Sequence, residues 1–213
     1  MALLVPAILE QTVPAFKNKA EDLEHLPEAQ RIQVDFCDGQ FVQTETVQVK
    51  DVELLNPAFQ WEAHIMAVAP SDFFDYQLVG FSTIIVHIEA YPTAAELRTA
   101  LLQIQSLGLQ AGVGVNPETP LAAVVPLADI AQQFTLMTIP PGRQGQAMLP
   151  SALSRIAELR ALLPNAVIEV DGGVKKENCA AVAAAGADLL VVGSALGTEP
   201  VRNFQDLQSS LQK

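Results

Sequence analysis

The sequence predicts a single domain over residues 1–213 with the (β/α)₈ barrel fold. Short apolar runs alternate with helix-like segments along the whole chain, and half of its 213 residues are hydrophobic. Glycine-bearing turns follow the last two of these runs. Repeated strand-then-helix units give a parallel sheet, and eight of them close it into a barrel. An open doubly wound sheet is the alternative, ranked lower because no Gly-x-Gly-x-x-Gly follows the first run.

The predicted strands are nearly continuous apolar runs, as expected for a parallel sheet covered on both faces. They span residues 3–9, 31–36, 60–66, 83–87, 110–115, 134–138, 166–170 and 189–192. Among the intervening segments, helices are predicted over 93–107, 150–163, 176–185 and 204–212. Within 151–163 apolar residues recur every three or four positions, between Pro150 and Pro164 as start and stop signals.

Composition and charge exclude several classes of partner. The net charge of −12 argues against binding to nucleic acid or to an anionic membrane surface. Two cysteines are too few for a disulfide framework, which favours a reducing, cytoplasmic setting. The apolar N-terminus is short and has no basic residue before it, so it is read as a strand and not as a signal peptide. Asp188 interrupts the longest apolar stretch, which favours a buried helix and strand over a membrane span.

Titratable residues cluster where predicted strands end, which is where barrel enzymes place their chemistry. Asp35 ends the second strand, His64 lies in the third, His87 ends the fourth and Asp171 follows the seventh. Asp35 and Asp171 should come from opposite sides of the barrel, as a two-base proton transfer requires, and with His64 they could bind a divalent cation. The structural alternatives are a lysine partner or a helix cap for Asp35 and a simple turn for Asp171. Glu89 and Asp188 are interpreted as solvated or structural.

Two glycine-bearing turns predict a phosphate site at the same end of the barrel. Gly172 and Gly173 follow the seventh strand, and Gly193 and Ser194 follow the eighth. Glycine lets backbone approach a ligand closely, and barrels commonly bind phosphate at these two loops. The loop after the sixth strand carries the remaining candidates, which are Gly142, Arg143 and Gly145. Arg143 is either a phosphate contact or an exposed surface arginine.

Over nearly its whole length the chain resembles the ribulose-phosphate 3-epimerases. Order and spacing are both preserved. The matching stretches are VDFCDGQFV (34–42), AHIM (63–66), VHIEA (86–90), GVGVNPETP (112–120), MT (137–138), EVDGGV (169–174), AGAD (185–188) and VGSA (192–195).

The resemblance implies a proton transfer beside the carbonyl of a five-carbon ketose phosphate, interconverting ribulose 5-phosphate and xylulose 5-phosphate with a divalent metal on the enediolate oxygens. It implies a phosphorylated sugar as substrate and a homo-oligomer as the assembly. Carried over by position, Asp35 and Asp171 are the acid and base and also metal ligands, and His64 is a metal ligand. Residues implied to shape or bind the substrate site are Met66, Met137, Gly142, Gly145, Gly172, Gly173, Gly193 and Ser194.

The sequence departs from the family pattern at substrate-facing positions. Gln33 stands where the family has a metal-binding histidine. A neutral oxygen donor there favours manganese or magnesium over zinc or iron. Glu10 stands at or beside a substrate-contacting serine, and the loop after the sixth strand has Pro140 for asparagine and Arg143-Gln144 for Phe-Gly.

These departures leave three hypotheses open. The chain is an epimerase with a modified metal site, an isomerase of another phosphorylated ketose, or a paralogue that binds sugar phosphates without catalysis. The first is favoured over the other two.

Overall fold

The computed structural model describes residues 2–53 and 55–212, which form a closed barrel of parallel strands in chain order, β1 to β8. This confirms the predicted fold class. The strands are β1 (Leu3–Ile8), β2 (Arg31–Cys37), β3 (Gln60–Met66), β4 (Phe81–His87), β5 (Gln110–Val115), β6 (Gln133–Met137), β7 (Val167–Asp171) and β8 (Leu189–Val192). Strand β7 extends one residue beyond its prediction, so Asp171 is the last residue of the strand itself.

Within the described residues, six α-helices surround the barrel. They are α1 (Val13–Glu24), α2 (Phe74–Val79), α3 (Ala94–Ser106), α4 (Ala152–Leu162), α5 (Cys179–Ala184) and α6 (Pro200–Leu211). Threonine caps two of them, since the Thr12 and Thr93 hydroxyls accept from the N–H groups of Ala15 and Glu96.

Two of the seven connections between successive strands differ from the regular strand–helix alternation that the sequence predicted. A short 3₁₀ helix (Val49–Asp51) follows β2, and two more (Leu121–Ala123 and Val125–Leu127) follow β5. Pro120 and Pro126 flank and interrupt the second connection. Because proline donates no backbone hydrogen bond, a longer α-helix is disfavoured there.

The apolar core is the layer between the strands and the helices. Leu97, Leu101 and Ile104 of α3 and Ile156 and Leu159 of α4 are all fully buried in it. Burial of apolar surface contributes roughly 25 cal/mol per Å² to the free energy of folding, and here it holds the helices against the sheet. A separate small apolar cluster of Val5, Ala7, Leu189 and Val191 lies on β1 and β8.

Polar side chains inside the barrel form two groups along the strand direction. The lower cluster comprises Arg31, Glu62, Gln133, Thr135 and Glu169, and the upper cluster, nearer the carboxyl ends of the strands, comprises Gln33, Asp35, His64 and Asp171. Contacts such as Arg31 to Gln133 join β2 to β6, which are not neighbours, so these side chains meet through the interior. Within residues 2–53 and 55–212, no helix has the length and hydropathy needed to span a membrane.

Candidate active site

The upper cluster brings together Asp35, His64 and Asp171. Asp35 and His64 are register partners on β2 and β3. His64 Nδ1 lies 3.0 Å from Asp35 Oδ1 and 3.3 Å from Asp171 Oδ2. Since β2 and β7 are separated by two other strands in the closed barrel, the two carboxylates converge on one imidazole from different sides. Asp35 thus has a histidine and an amide as its partners, in place of the lysine or helix end considered above.

Gln33 joins the same cluster through its side-chain amide. Its Nε2 donates to Asp35 Oδ1 at 2.7 Å and to Asp171 Oδ2 at 3.0 Å, and lies 3.4 Å from His64 Nδ1. Its Oε1 is buried and has no hydrogen-bond partner in the described part of the chain. The amide NH₂ group of Gln33 therefore bridges the two carboxylates. Rotation of the amide by half a turn about the Cγ–Cδ bond would place Oε1 there instead.

The electrostatics of the cluster favour a bound positive charge. Burial lowers the pKa of His64, but the hydrogen bonds and charges of Asp171 and Asp35 outweigh it and raise that pKa to about 10. Burial and the neighbouring charge of Asp171 raise the pKa of Asp35, against the hydrogen bonds from His64 and Gln33. Two carboxylates held together out of water thus attract either a proton or a metal cation.

Asp35 and Asp171 border a cavity whose volume is about 40 Å³. Met66 and Met137 form apolar walls beside the two carboxylates, and the predicted phosphate turns line the same space. The lining includes Gly142, Arg143, Gly145, Gly172, Gly173, Gly193 and Ser194. The strand-end acids and the glycine turns therefore meet at one cavity.

Close packing explains the glycines of the turn after β7. Gly172 and Gly173 both have positive φ, at 112° and 67°. A Cβ on Gly172 would lie 2.3 Å from Ile139 Cγ1, and one on Gly173 would lie 2.5 Å from the backbone nitrogen of Met148. Among the described residues, the N–H groups of Gly173, Val174 and Ser194 donate no hydrogen bond. These turns thus combine close backbone approach with free donors, as an anion site requires.

The loop after β6 lies over the cavity. Gly142 has φ +85°, and a Cβ there would lie 2.7 Å from Val42. A Cβ on Gly193 would lie 2.7 Å from Gln144 Nε2, so the Gln144 side chain rests against the turn after β8. The loop after β6 therefore forms one wall of the space that borders the two carboxylates.

Arg143 and Glu10 have different positions relative to the cavity. Arg143 is exposed and borders it, while its Nη2 donates to Gln43 Oε1 at 3.1 Å. Glu10 is not among the described residues that line it, and its neighbour Leu9 is. The structure thus gives Glu10 no cavity contact of its own.

Glu89, which is predicted from the sequence as solvated or structural, is half-buried and hydrogen-bonded. Glu89 Oε1 accepts from the backbone N–H of Asn116 at 2.8 Å and from the Thr119 hydroxyl. Glu89 Oε2 lies 3.2 Å from His87 Nδ1, and His87 Nε2 lies 2.8 Å from His64 Nε2. The available signal was the spacing His-x-Glu at the end of β4, which carries both side chains to the same side. Asp188 is structural, since its carboxylate binds Arg160 and the N–H of Ile168.

Comparison with known proteins identifies the family. The model of the ribulose-phosphate 3-epimerase family matches residues 4–197. The ribulose-phosphate 3-epimerase of Bacillus subtilis is 34% identical over 92% of this chain and 92% of its own length. The chain belongs to the ribulose-phosphate 3-epimerase family. The chloroplastic ribulose-5-phosphate-3-epimerase of Arabidopsis thaliana is also 34% identical, over 91% of this chain and 71% of its own.

Solved structures of the same fold extend beyond the epimerases. The 3-keto-L-gulonate-6-phosphate decarboxylase of Vibrio cholerae superposes with a TM-score of 0.75 over 99% of this chain and 97% of its own, at 13% identity. The 3-hexulose-6-phosphate synthase of Salmonella typhimurium has a TM-score of 0.69 over 98% of both chains, at 20% identity. At these identities the similarity establishes the barrel fold alone.

Proposed function

We propose that the chain interconverts ribulose 5-phosphate and xylulose 5-phosphate by proton transfer between Asp35 and Asp171. The observation that carries this is the convergence of two carboxylates from β2 and β7 on a cavity that also holds the glycine turns. One aspartate removes the proton beside the carbonyl, and the other returns a proton to the opposite face. Membership of the epimerase family supports the same reaction.

The turns after β7 and β8 hold the substrate phosphate in this proposal. Gly172, Gly173, Gly193 and Ser194 present backbone to the cavity without intervening side-chain bulk. The net charge of the chain is −12, so an anionic substrate is attracted by these local donors and not by the overall field. Met66 and Met137 keep water from the reacting carbon, and Gly142 and Gly145 let the covering loop move.

The upper cluster also fits a divalent metal ion. One ligand atom each from Asp35, His64 and Asp171 lies within 4.8 Å of the other two. An octahedral ion with bonds of about 2.1 Å needs adjacent ligands roughly 3 Å apart, and His64 Nδ1 meets the two carboxylates at 3.0 and 3.3 Å. Gln33 would be the fourth ligand through Oε1, which has no hydrogen-bond partner of its own in the described chain. Manganese or magnesium suits this oxygen-rich set, and zinc or iron suits it less. When bound, such an ion stabilises negative charge on the enediolate oxygens.

A coupled assay with ribulose 5-phosphate tests the proposal. Turnover is expected with manganese or magnesium, and zinc and iron serve as comparisons. Asp35→Asn and Asp171→Asn should each lower the rate about 10²- to 10⁴-fold, because an amide cannot exchange a proton with carbon. The control is Asp129→Asn, since Asp129 is exposed and pairs with Arg98 on the surface. Absence of turnover with every metal would overturn the proposal, and so would full activity in either active-site variant.

The covering loop favours a second candidate, an isomerase of another phosphorylated ketose. Arg143 and Gln144 both line the cavity from that loop. Exchange of substrate hydrogen in heavy water over a panel of ketose phosphates distinguishes the candidates. Exchange with a different ketose and none with ribulose 5-phosphate would support the second. Thermal stabilisation by sugar phosphates without any exchange would indicate a non-catalytic binding protein.

Two further expectations stay predictions. The resemblance to the epimerases supports a homo-oligomer, which sedimentation velocity would measure. The low cysteine count supports a cytoplasmic location.

A further inference from the structure

A chain of buried hydrogen bonds leads from the upper cluster to Glu89. His64 Nε2 lies 2.8 Å from His87 Nε2, and His87 Nδ1 lies 3.2 Å from Glu89 Oε2. Both imidazoles are completely buried, and their rings stack at 5.0 Å between centroids with 24° between their planes. His64 is thus bonded at both ring nitrogens, to Asp35 and Asp171 at Nδ1 and to His87 at Nε2.

The chemistry of these groups determines which atom donates and which accepts in each hydrogen bond. A carboxylate only accepts hydrogen bonds, so His87 must carry its proton on Nδ1, facing Glu89. A neutral imidazole has a single N–H, which leaves a lone pair on His87 Nε2. That lone pair accepts from His64 Nε2–H. The nitrogen of His64 that remains free to change its partner is therefore Nδ1, which faces the two aspartates.

The surroundings of Glu89 favour its ionised form. Its two oxygens accept hydrogen bonds from the Asn116 N–H, the Thr119 hydroxyl and His87 Nδ1. Burial raises the pKa of Glu89, but these hydrogen bonds outweigh it and lower that pKa. An ionised Glu89 is the acceptor that a proton on His87 Nδ1 requires.

Packing holds the His87 ring in place. Gly114 is the register partner of His87 on β5, and a Cβ there would lie 2.9 Å from His87 Cδ2 and Nε2. The Phe41 ring contacts the imidazole with 5.0 Å between ring centroids. A glycine on β5 thus makes room for a ring that another side chain would displace.

We infer that Glu89 and His87 are positioning residues that fix the tautomer and orientation of His64, so that His64 Nδ1 is always presented to Asp35 and Asp171. This rests on the proposed function insofar as His64 serves the reaction as a ligand there. Hydrogen-bond partners of a metal-binding histidine set its tautomer in just this manner.

The variant Glu89→Gln tests the donor and acceptor order of the hydrogen bonds from Glu89 through His87 to His64. Its Oε1 can keep the bonds from Asn116 and Thr119, while its NH₂ group replaces the acceptor that faces His87. The amide then donates to His87 Nδ1, His87 carries its proton on Nε2, and His64 must accept there and carry its own proton on Nδ1. Because an N–H at Nδ1 blocks metal ligation, Mn²⁺ affinity should fall about 10- to 100-fold, and kcat should fall more than KM changes.

The variant Glu89→Ala separates positioning from a structural role. Alanine removes the carboxylate without supplying a donor, so either tautomer of His87 remains possible and the loss of Mn²⁺ affinity should be smaller than in Glu89→Gln. A merely structural role predicts the reverse order, because glutamine keeps the shape of the side chain and alanine does not. Glu118→Gln, an exposed residue of the following loop, is the matched control and should leave Mn²⁺ binding unchanged.

Nitrogen-15 NMR of the imidazoles gives a readout that needs neither metal nor substrate. The chain has three histidines, and the third, His25, is exposed and serves as a reference signal. The proton of His87 should be on Nδ1 in the unmodified protein and on Nε2 in Glu89→Gln. A proton on Nε2 of His87 in the unmodified protein would overturn this inference and leave the proposed function standing. An inactive protein with the expected tautomers would overturn the proposed function and leave this inference standing.

Discussion

The two polar clusters inside the barrel differ in how their charges are balanced. In the lower cluster, Arg31 donates to Glu62 at 2.8 Å, and the Thr135 hydroxyl donates to Glu169 at 2.8 Å. Burial and the adjacent Glu62 raise the pKa of Glu169 well above its usual range, which favours the neutral, protonated form of this acid beside the Arg31–Glu62 ion pair. The charges of the lower cluster are thus balanced by the chain's own groups.

The upper cluster has no such internal balance. Two aspartates face one imidazole and a neutral amide, and the aspartates border a cavity. The described residues of this cluster include no arginine or lysine. A carboxylate pair left short of positive charge beside a cavity is typical of a functional site. The comparison indicates that a barrel can bury acids for stability or for chemistry, and that the partner groups decide which.

Among the substitutions, the largest expected effect on stability comes from breaking the lower cluster. Arg31→Met leaves Glu62 buried without its cation, and should lower the free energy of unfolding by about 3 kcal/mol. Denaturant unfolding measures it. Adding Glu62→Gln to the same chain should restore much of the loss, since the uncompensated charge is gone. A loss below about 1 kcal/mol in the single variant would contradict the view that this cluster is balanced by Arg31.

The upper cluster should make stability depend on pH with a defined sign. The pKa of His64 is raised from 6.5 to about 10 in the folded chain. Its stabilisation is complete below pH 6.5 and is lost as pH rises toward 10, by up to about 1.4 kcal/mol per pH unit. Unfolding of chelator-treated protein between pH 6.5 and 9 measures this slope. The slope should be absent in His64→Asn, and an equal slope in both proteins would contradict it.

Removing a charge from the upper cluster should stabilise the fold. Asp35→Asn ends the unfavourable burial of a carboxylate beside Asp171. It should raise the free energy of unfolding by about 1 kcal/mol while lowering the rate of hydrogen exchange about 10²- to 10⁴-fold. Asp38→Asn is the control of opposite sign, three residues along the chain. Its carboxylate accepts from the N–H groups of Gln40, Phe41 and Val68, so this variant should lose about 1 kcal/mol. Destabilisation by both changes would remove the distinction between the two aspartates.

The smallest effect is expected at the mouth of the cavity. Arg143 is exposed, and within the described chain its guanidinium donates one hydrogen bond, to Gln43. Arg143→Ala should raise KM for the sugar phosphate a few-fold, about 1 kcal/mol of binding, with stability changed by less than about 0.5 kcal/mol. Steady-state kinetics decides the point. An unchanged KM would leave Arg143 as a surface residue, the alternative considered for it from the sequence.

Motif and periodicity were sufficient to predict the barrel and most of the site. Strand ends differ from their predictions by at most two residues. Asp35 and Asp171 lie near the carboxyl ends of β2 and β7, which is the end of the barrel that the sequence predicted for them. What the sequence interpretation missed concerns partners. Gln33 was predicted as a weak metal ligand, and the structure adds that its amide joins the carboxylates of Asp35 and Asp171, of which Asp171 lies 138 residues from Gln33 along the chain. Glu89 was interpreted as solvated or structural without a named partner, and the structure shows that it is bonded to His87.

By itself, the sequence determined the alternation of strands and helices, the family, and the strand ends at which acids and glycines lie. These are local properties, because strand polarity and the apolar period are set by neighbouring residues. Only the tertiary structure decided which polar side chains touch: His64 with His87, Gln33 with Asp171, and Arg31 with Gln133. Those contacts cross the interior, where barrel closure and register between distant strands bring side chains within hydrogen-bonding distance, and no local pattern encodes that distance.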